Sequence, residues 1–486
     1  MKRVFLWIVI IALVVCGLYV IYSLPQSTEE SDAVTGKDGV VAILSVNDMH
    51  SAIDMMPQFA ALVDSLRQVY PGLLVFSAGD NRTGNPVNDQ YDPESYPMIA
   101  LMNKVGFDLS AVGNHEFDGD IPALQRNIKD AVFPFLCANI VVPQEVQLDV
   151  KPYEILTCQG LTVAVVGVVE VRAGGIPSAH PTHFNQLSFK KPEEVLPDYL
   201  YLKNQCNVFV LLSHLGYEED LEIAERYPSF DAIIGGHSHT LVEHPQKHHG
   251  VMVTQAGSNL KNATLTLFTV KAGKVVDVES TTLDVKRFGK RDREIQSMLD
   301  DFNNNPHLNE ALATALTPFQ TREELGCMVT DAIRDITKAD FAFANTGGLR
   351  ADHLKKGPIT VKDVYSIDPF NNEIVVYTMK GRQVERFIME SFKKNGRYPS
   401  YVSGMTYLIN TASDGYPKSV SVTMDHGRFS PDATYTVAMN SYMASTVRFE
   451  SLDDGESQYM TSEEMVIKYL KSKKSVSYNG VRRTFR

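Results

Sequence analysis

Side chains that commonly bind metal ions follow a series of short apolar runs in this chain. Runs such as "VVAILSV", "LLVFSAG" and "DAIIGG" each lead into an aspartate, asparagine or histidine. One such residue alone has an ordinary explanation, because an Asp after a strand usually caps a turn or helix. The recurrence favours a shared metal site, for which the candidate ligands are Asp48, His50, Asp80, Asn114, His214, His237 and His239.

These candidate ligands offer oxygen and imidazole nitrogen atoms but no thiolate. Such a donor set suits Zn²⁺, Mn²⁺ or a similar divalent ion rather than an iron–sulfur cluster. The donors are too many for one tetrahedral ion and sufficient for two. Two ions about 3.5–4 Å apart are the usual machinery of phosphate ester hydrolysis, so the pattern predicts two divalent metal ions and phosphoester chemistry.

Strands that alternate with helices must position these residues. The apolar runs are short and β-rich, and helix-like segments lie between them, over Met56–Val69 and over 192–204. This alternation predicts an α/β fold in which the ligands lie outside the carboxyl ends of strands. A charged stretch over 292–303, ended by "NNNP", predicts a helix between two α/β units.

Length and charge limit the classes of partner. A chain of 486 residues is too long for one hydrophobic core, so we expect two domains. The formal net charge of −12 argues against a nucleic-acid polymer as partner, whereas a small phosphate needs only one local cluster of cations. Cys137 and Cys206 lie in apolar runs, and we expect buried free thiols there rather than a disulfide.

The first residues have the pattern of an export segment. "MKR" is followed by a nearly unbroken apolar run over 5–22, whose length lies between a signal-peptide core and a membrane span. An uncleaved signal anchor is favoured over a cleaved signal peptide, and 23–39 reads as a flexible tether. The rest of the chain is then extracytoplasmic, in a periplasm or at the cell surface, with a membrane tether through the N-terminal segment.

The blocks "NDMH", "GDN", "GNHEFD", "SHLG" and "GGHSH" resemble the five motifs of the calcineurin-like metallophosphoesterases. With the second domain, they resemble the 5′-nucleotidase / 2′,3′-cyclic phosphodiesterase / UDP-sugar hydrolase family over nearly all of the exported part. The resemblance implies an α/β fold with an N-terminal four-layer α/β/β/α sandwich, a linker helix and a C-terminal α/β substrate-binding domain. The implied bounds are 40–287, 288–315 and 316–486, after a segment 1–39.

The resemblance also implies roles for the candidate ligands. One ion would bind Asp48, His50 and His239, the other would bind Asn114, His214 and His237, and Asp80 would bridge them. The two glycines before His237 would allow a sharp turn of the backbone. His115 and Asp118, in "GNHEFD", would form a catalytic dyad beside a water whose pKa the metals lower; alone, Asp118 could equally be a helix cap.

Substrate-binding residues are implied in the C-terminal half. "NTGGLR" supplies Asn345 and Arg350, "DPFNN" supplies Phe370 and Asn372, "NSYMAS" supplies Tyr442, and "TREELG" supplies Arg322. A lone Phe or Tyr is more often a core residue, so each ring needs the other residues of its block to support this role. Thr446, Val447 and Arg448 stand where the family has a Gly-Gly-Asp block that binds the ribose.

The implied function is an exported, metal-dependent phosphohydrolase that releases phosphate from nucleotides. One alternative keeps the same chemistry on a cyclic nucleotide or another organic phosphate. The other is a surface binding protein without turnover.

Overall fold

A computed structural model describes residues 36–172, 174–184 and 186–486 of the chain. The predicted signal segment and most of the predicted tether lie outside these residues. Within them, no helix is both long enough and apolar enough to cross a membrane.

The strands of these parts of the chain are, in order, β1 Gly39–Val46, β2 Leu74–Ser77, β3 Leu109–Ala111, β4 Phe135–Leu136, β5 Ile140–Val141, β6 Tyr153–Cys158, β7 Leu161–Val169, β8 Ser188–Phe189, β9 Val208–His214, β10 Ala232–Ile234, β11 Gln246–His248, β12 Val251–Thr254, β13 Asn262–Lys271, β14 Lys274–Asp284, β15 Ala311–Ala315, β16 Phe341–Ala344, β17 Gly357–Thr360, β18 Glu373–Lys380, β19 Tyr401–Ser403, β20 Met405–Thr411, β21 Pro417–Met424, β22 Thr434–Asn440, β23 Glu456–Thr461, β24 Ser475–Val476 and β25 Thr484–Phe485.

The α-helices are α1 Met56–Val69, α2 Pro86–Asp89, α3 Tyr96–Val105, α4 Ile121–Asp130, α5 Pro192–Val195, α6 Tyr217–Arg226, α7 Arg293–Asn303, α8 Arg322–Thr337, α9 Val361–Ile367, α10 Gly381–Lys394, α11 Ser441–Thr446 and α12 Ser462–Lys473. Helix α1 has the predicted bounds. The helix-like segment predicted over 192–204 is the single turn α5 followed by a 3₁₀ helix, Leu196–Asn204, because Pro197 lacks the N–H that a continuing α-helix needs.

Two six-stranded sheets form the N-terminal half. Their orders are β14-β13-β1-β2-β3-β4 and β11-β12-β10-β9-β7-β6. Alternate residues of the facing sides, such as Ile43 and Phe76 from one sheet and Val165 and Val210 from the other, form one buried core. Helices α1, α3 and α4 cover the outer face of the first sheet, and α6 packs on the second. This arrangement confirms the predicted α/β/β/α layers.

Parallel pairing brings the predicted ligands to one edge. Strands β1, β2, β3 and β4 pair in parallel with one another, as do β9, β10, β12 and β7. Most of their residues are buried on both faces, as expected for parallel strands rich in Val, Ile and Leu. The carboxyl ends of β1, β2 and β3 therefore meet those of β9 and β10 across the two sheets.

Helix α7 occupies the stretch predicted to link the halves. The Asp292 Oδ1 atom accepts a hydrogen bond from the Ile295 N–H at 2.8 Å and caps the helix, and Ile295 and Leu299 are buried against the N-terminal half. After it, a five-stranded sheet, β19-β16-β22-β18-β23, and two three-stranded sheets form an α/β C-terminal half. We propose the division at 288–315 on this basis. Cys137, Cys158, Cys206 and Cys327 are buried free thiols, which confirms the prediction for Cys137 and Cys206.

Candidate active site

The loops that carry the predicted ligands have an uncommon backbone conformation. Asp48, His50, Asp80, His237 and His239 all have positive φ angles, between 47° and 77°. Residues other than glycine rarely adopt this region, and holding one there costs about 1–3 kcal/mol. The surrounding hydrogen bonds must therefore impose these turns, which aim successive side chains toward one point.

The two glycines before His237 act differently from the prediction. Neither Gly235 nor Gly236 has a positive φ. A Cβ atom at Gly235 would overlap the Asp220 carboxylate, and one at Gly236 would lie 2.8 Å from the Ala78 carbonyl oxygen. These positions need glycine because neighbouring atoms approach closely, and the turn itself falls on the histidine.

Asp48, His50 and His239 form one group whose ligand atoms all lie within 4.8 Å of one another. The His50 Nδ1–H donates to the Thr83 carbonyl oxygen at 3.1 Å, which leaves the Nε2 lone pair free. That Nε2 lies 2.9 Å from His239 Nε2, which is 3.4 Å from Asp48 Oδ1. Burial, with the nearby His115 and Arg350, holds the pKa of His50 well below its usual value, so the ring is in the neutral, ligating form.

Asp80, His214 and His237 form a second such group, and Asn114 lies within it. The His214 Nδ1–H donates to a backbone carbonyl at 2.6 Å, so its Nε2 faces Asp80 Oδ2 at 3.1 Å and Asn114 Oδ1 at 3.2 Å. Asn114 donates its amide to the Ser178 carbonyl at 3.0 Å, which turns Oδ1 toward His237 Nδ1, 2.9 Å away. The hydrogen bond on the far side of each side chain thus fixes which of its atoms points toward the candidate metal site.

The donor set fits divalent cations. Carboxylate oxygens, an amide oxygen and imidazole nitrogens converge, and this set of donor atoms suits a shared divalent cation. Burial favours a lower pKa for His214, but the Asp80 carboxylate outweighs it and raises that pKa to about 10, which reports a strongly negative potential at this point. Asp80 also forms a group with His50 and His115 whose ligand atoms lie within 4.8 Å of one another, so it stands between the two sets.

His115 and Asp118 contact each other beside this centre. The residues His115–Phe117 form a 3₁₀ turn after β3, and the His115 Nδ1 lies 2.5 Å from Asp118 Oδ2. Burial alone would lower the pKa of His115, but the Asp118 and Asp80 carboxylates outweigh it and raise the pKa. An imidazole held in this way can carry a proton toward a leaving oxygen.

Two buried residues that the sequence interpretation missed hold the ligand loops. The Glu116 carboxylate accepts hydrogen bonds from the Asp80 N–H at 2.9 Å and the Gly113 N–H at 2.6 Å. The Asn47 amide donates to Asp48 Oδ2 at 2.6 Å. Their presence inside "GNHEFD" and "NDMH" was the available signal, but neither contributes a ligand atom.

A cavity of about 730 Å³ opens beside the centre and is lined by both halves of the chain. Asn345, Arg350, Phe370, Asn372 and Tyr442 all line it, and Arg350 Nη2 lies 3.4 Å from His50 Nε2. The Phe370 ring centroid is 5.9 Å from that of His115. Five of the six predicted substrate-binding residues are therefore brought together here.

Arg322 is not brought to this cavity. Its side chain forms an ion pair with Asp352 at 2.6 Å instead. The residues at the Gly-Gly-Asp positions do not line the cavity either, and Arg448 is exposed elsewhere. The Asp453 carboxylate, in the following loop, accepts the Thr378 N–H at 3.1 Å.

Further residues line the cavity although they lie outside the sequence motifs. Arg172 Nη2 lies 2.8 Å from His237 Nε2, and its Nε donates to Ser178 Oγ at 2.8 Å. His180 and Glu373 also line the wall. Their positions depend on tertiary contacts between loops, and a linear pattern does not encode these.

Comparison with known proteins gives two family matches. Residues 41–241 match the calcineurin-like phosphoesterase family, and residues 309–451 match the 5′-nucleotidase C-terminal domain. Protein UshA of Salmonella pullorum is 27% identical over 87% of this chain and 90% of its own. A 5′-nucleotidase of Vibrio cholerae is 27% identical over 83% of this chain and 84% of its own.

A solved structure shares the fold. The 5′-nucleotidase precursor from Thermus thermophilus superposes with a TM-score of 0.77 at 24% identity, covering 92% of this chain and 99% of that one. These matches confirm the resemblance drawn from the motifs, and they cover both halves of the chain.

Proposed function

We propose that this chain, which belongs to the family that joins a calcineurin-like phosphoesterase domain to a 5′-nucleotidase C-terminal domain, hydrolyses nucleoside 5′-monophosphates with two divalent metal ions. Membership of this family makes the chain a metal-dependent phosphoester hydrolase and not a binding protein without turnover. The single observation that carries the proposal is the cavity: it joins the two ligand groups, the His115–Asp118 pair and two aromatic rings of the C-terminal half.

The residues divide the work of the reaction. Asp48, His50 and His239 would hold one ion, Asn114, His214 and His237 the other, and Asp80 both. Divalent ions there would supply Lewis-acid stabilisation of the phosphate and ionise a water near neutral pH.

Arg350 would pair with a phosphate oxygen, because its guanidinium reaches the centre from the C-terminal half and offers a planar fork of donors. His115 would protonate the departing ribose oxygen, and Asp118 would orient the imidazole. Phe370 and Tyr442 would stack on a planar base, and the Asn372 amide would donate to its edge.

The test is phosphate release by the full-length protein with Mn²⁺ or Zn²⁺ and with chelator. The substrates are nucleoside monophosphates, cyclic nucleotides, UDP-glucose, sugar phosphates and p-nitrophenyl phosphate. Metal-dependent release with preference for nucleoside monophosphates is expected, with Asp80→Ala inactive and Asp454→Ala, an exposed carboxylate outside the cavity, unaffected.

One observation favours a second candidate, the same chemistry on another organic phosphate. None of Thr446, Val447 and Arg448 lines the cavity, so no side chain there binds a ribose diol. Release from sugar phosphates but not from nucleotides would select this candidate.

We further propose that the chain is exported. The basic and apolar residues at 2–22 support it, in the order expected of a signal segment. Cell fractionation with an antibody against the C-terminal half tests it: recovery in the cytoplasmic fraction would contradict export, and recovery with membranes would support an uncleaved anchor over a cleaved signal peptide.

A further inference from the structure

Glu373 brings a carboxylate to the aromatic side of the cavity. It begins strand β18, directly after Asn372 and three residues after Phe370. Among the described residues that line the cavity, the carboxylates are Asp80, Asp118 and Glu373. The first two belong to the reacting centre, so Glu373 is the one that the proposed reaction leaves without a role.

Glu373 is held in place from two directions. Its backbone pairs with Thr461 of β23, and its Oε2 accepts a hydrogen bond from the Ser457 hydroxyl at 2.9 Å. An ionised carboxylate only accepts hydrogen bonds and has about four lone-pair sites on two oxygens. The single contact with Ser457 leaves most of this capacity facing solvent at the exposed cavity wall.

The side-chain amide oxygens on this wall already accept hydrogen bonds from within the protein. The Asn345 Oδ1 atom accepts from the Asn440 amide at 3.0 Å, and the Asn372 Oδ1 atom accepts from the Ser441 hydroxyl at 3.4 Å. Arg350 has only donors. These three side chains therefore present N–H groups to a ligand, and Glu373 is the carboxylate of this wall that complements ligand donors.

We propose that Glu373 is a specificity-determining residue that accepts hydrogen bonds from a pair of adjacent donors on the substrate. This inference rests on the proposed function and names its substrate class: phosphate esters whose organic part is a flat ring bearing, or joined to, two neighbouring O–H or N–H groups. A nucleotide offers such a pair in the 2′,3′-diol of the ribose and in the N1–H and N2–H₂ edge of guanine.

The experiment compares the full-length wild-type protein with Glu373→Gln, which keeps the size of the side chain but loses its charge and half of its acceptors. Glu456→Gln, on an exposed residue of β23 outside the cavity lining, is the matched control. The rates are measured with GMP, IMP, 2′-deoxy-GMP and p-nitrophenyl phosphate, which has neither sugar nor base.

Glu373→Gln is expected to lower kcat/KM by about tenfold to a hundredfold for the preferred nucleotide, because a charge-assisted hydrogen bond is lost. The rate with p-nitrophenyl phosphate and the rates of Glu456→Gln should not change. If the variant loses the preference for GMP over 2′-deoxy-GMP, the donors are the ribose diol. If it loses the preference for GMP over IMP, they are the guanine edge.

Equal nucleotide preferences in Glu373→Gln and the wild type would overturn the inference while leaving the proposed function intact. An equal loss with p-nitrophenyl phosphate would also overturn it, because it would show a structural role. Hydrolysis of p-nitrophenyl phosphate but of no nucleotide by the wild type would instead contradict the proposed function, and this assignment with it.

Discussion

The two sides of the active-site cavity are built in different ways. On the N-terminal side, five of the seven candidate ligands, Asp48, His50, Asp80, Asn114 and His214, are at most 3% exposed, and each is held by hydrogen bonds from neighbouring loops. On the C-terminal side, Phe370 and Tyr442 are only half-buried. This difference in burial indicates that the proposed metal centre tolerates little change, whereas the proposed substrate-binding wall can change one residue at a time. Variants of each side should therefore differ in both size and kind of effect.

The largest effect is expected from Asp80→Asn, on the buried side. The change removes the carboxylate that groups with His214 and His237 and also with His50 and His115, so bound metal per chain should fall and kcat should decrease by at least about a thousandfold, for every substrate alike. Elemental analysis and phosphate release measure both quantities. A variant with full metal content and near-normal turnover would contradict a shared ligand; Asp454→Asn is the control.

His115→Asn should come next, and its effect should depend on the leaving group. With a nucleotide, loss of the general acid should lower kcat by about 10²–10⁴-fold. With p-nitrophenyl phosphate the loss should be much smaller, because a phenolate departs without a proton. Equal losses on both substrates, measured in parallel at saturating concentration, would instead mean that His115 stabilises the phosphate itself.

Phe370→Ala tests the half-buried side. Loss of stacking, worth about 1–3 kcal/mol per base, should lower kcat/KM for nucleotides roughly fivefold to a hundredfold, mainly through KM. The rate with a sugar phosphate, which has no planar ring to stack, and the metal content should stay unchanged. Tyr459→Ala, at a ring that is 87% exposed outside the cavity, serves as the control. A fall in metal content would show that the two sides are not independent.

The smallest effect is expected from a buried pair of carboxylic acids, Asp368 and Glu463, next to the loop that carries Phe370. Glu463 Oε1 accepts the Asn371 N–H at 2.8 Å, and Ser462 donates to Asp368 Oδ2 at 2.7 Å. Burial raises the pKa of Asp368, and burial with the Asp368 charge raises that of Glu463 well above its usual value. The folded state therefore binds protons that the unfolded chain has released, so stability is greatest at acidic pH and is lost as pH rises through these raised pKa values.

Glu463→Gln should flatten this pH dependence, because an amide has no proton to lose. Tyr365 also faces the pair, and its pKa is raised, by burial first, so it stays neutral through the range. Thermal unfolding between pH 5 and pH 9 checks this. The change in Tm across this range should differ between the variant and the wild type by about 2–4 °C. A curve parallel to that of Glu456→Gln would contradict the role of the pair.

The difference between the two sides of the cavity also explains which residues could be predicted from the sequence. The ligands follow strands that run parallel, and topology alone brings such strand ends together, so their residue types and order predicted a metal centre. Helix α1 was predicted with its bounds because its apolar residues recur at helical spacing. The segment over 192–204 is helical as predicted, but a proline makes it a 3₁₀ helix after its first α turn.

The C-terminal wall was predicted less completely because loops without periodicity form it. Arg322 stands in "TREELG", which only partly matches the family block, and its partner is Asp352, thirty residues along the chain. Glu373 and Arg172 have no motif, and only the packing of β18 on β23 and of one loop on His237 brings them to the cavity. The reason for Gly235 and Gly236 was also a matter of packing, since the atoms that exclude a Cβ come from distant residues.

The four buried thiols affect how the protein reacts with oxidants and alkylating agents. Burial raises the pKa of Cys137 to about 12 and that of Cys206 to about 11, so neither forms appreciable thiolate at physiological pH. Because the thiolate is the reactive species, these residues should resist oxidants and alkylating agents. Since these cysteines form no disulfide, folding of this part of the chain calls for no oxidase or isomerase. The enzyme should therefore keep its activity across reducing and oxidising conditions alike.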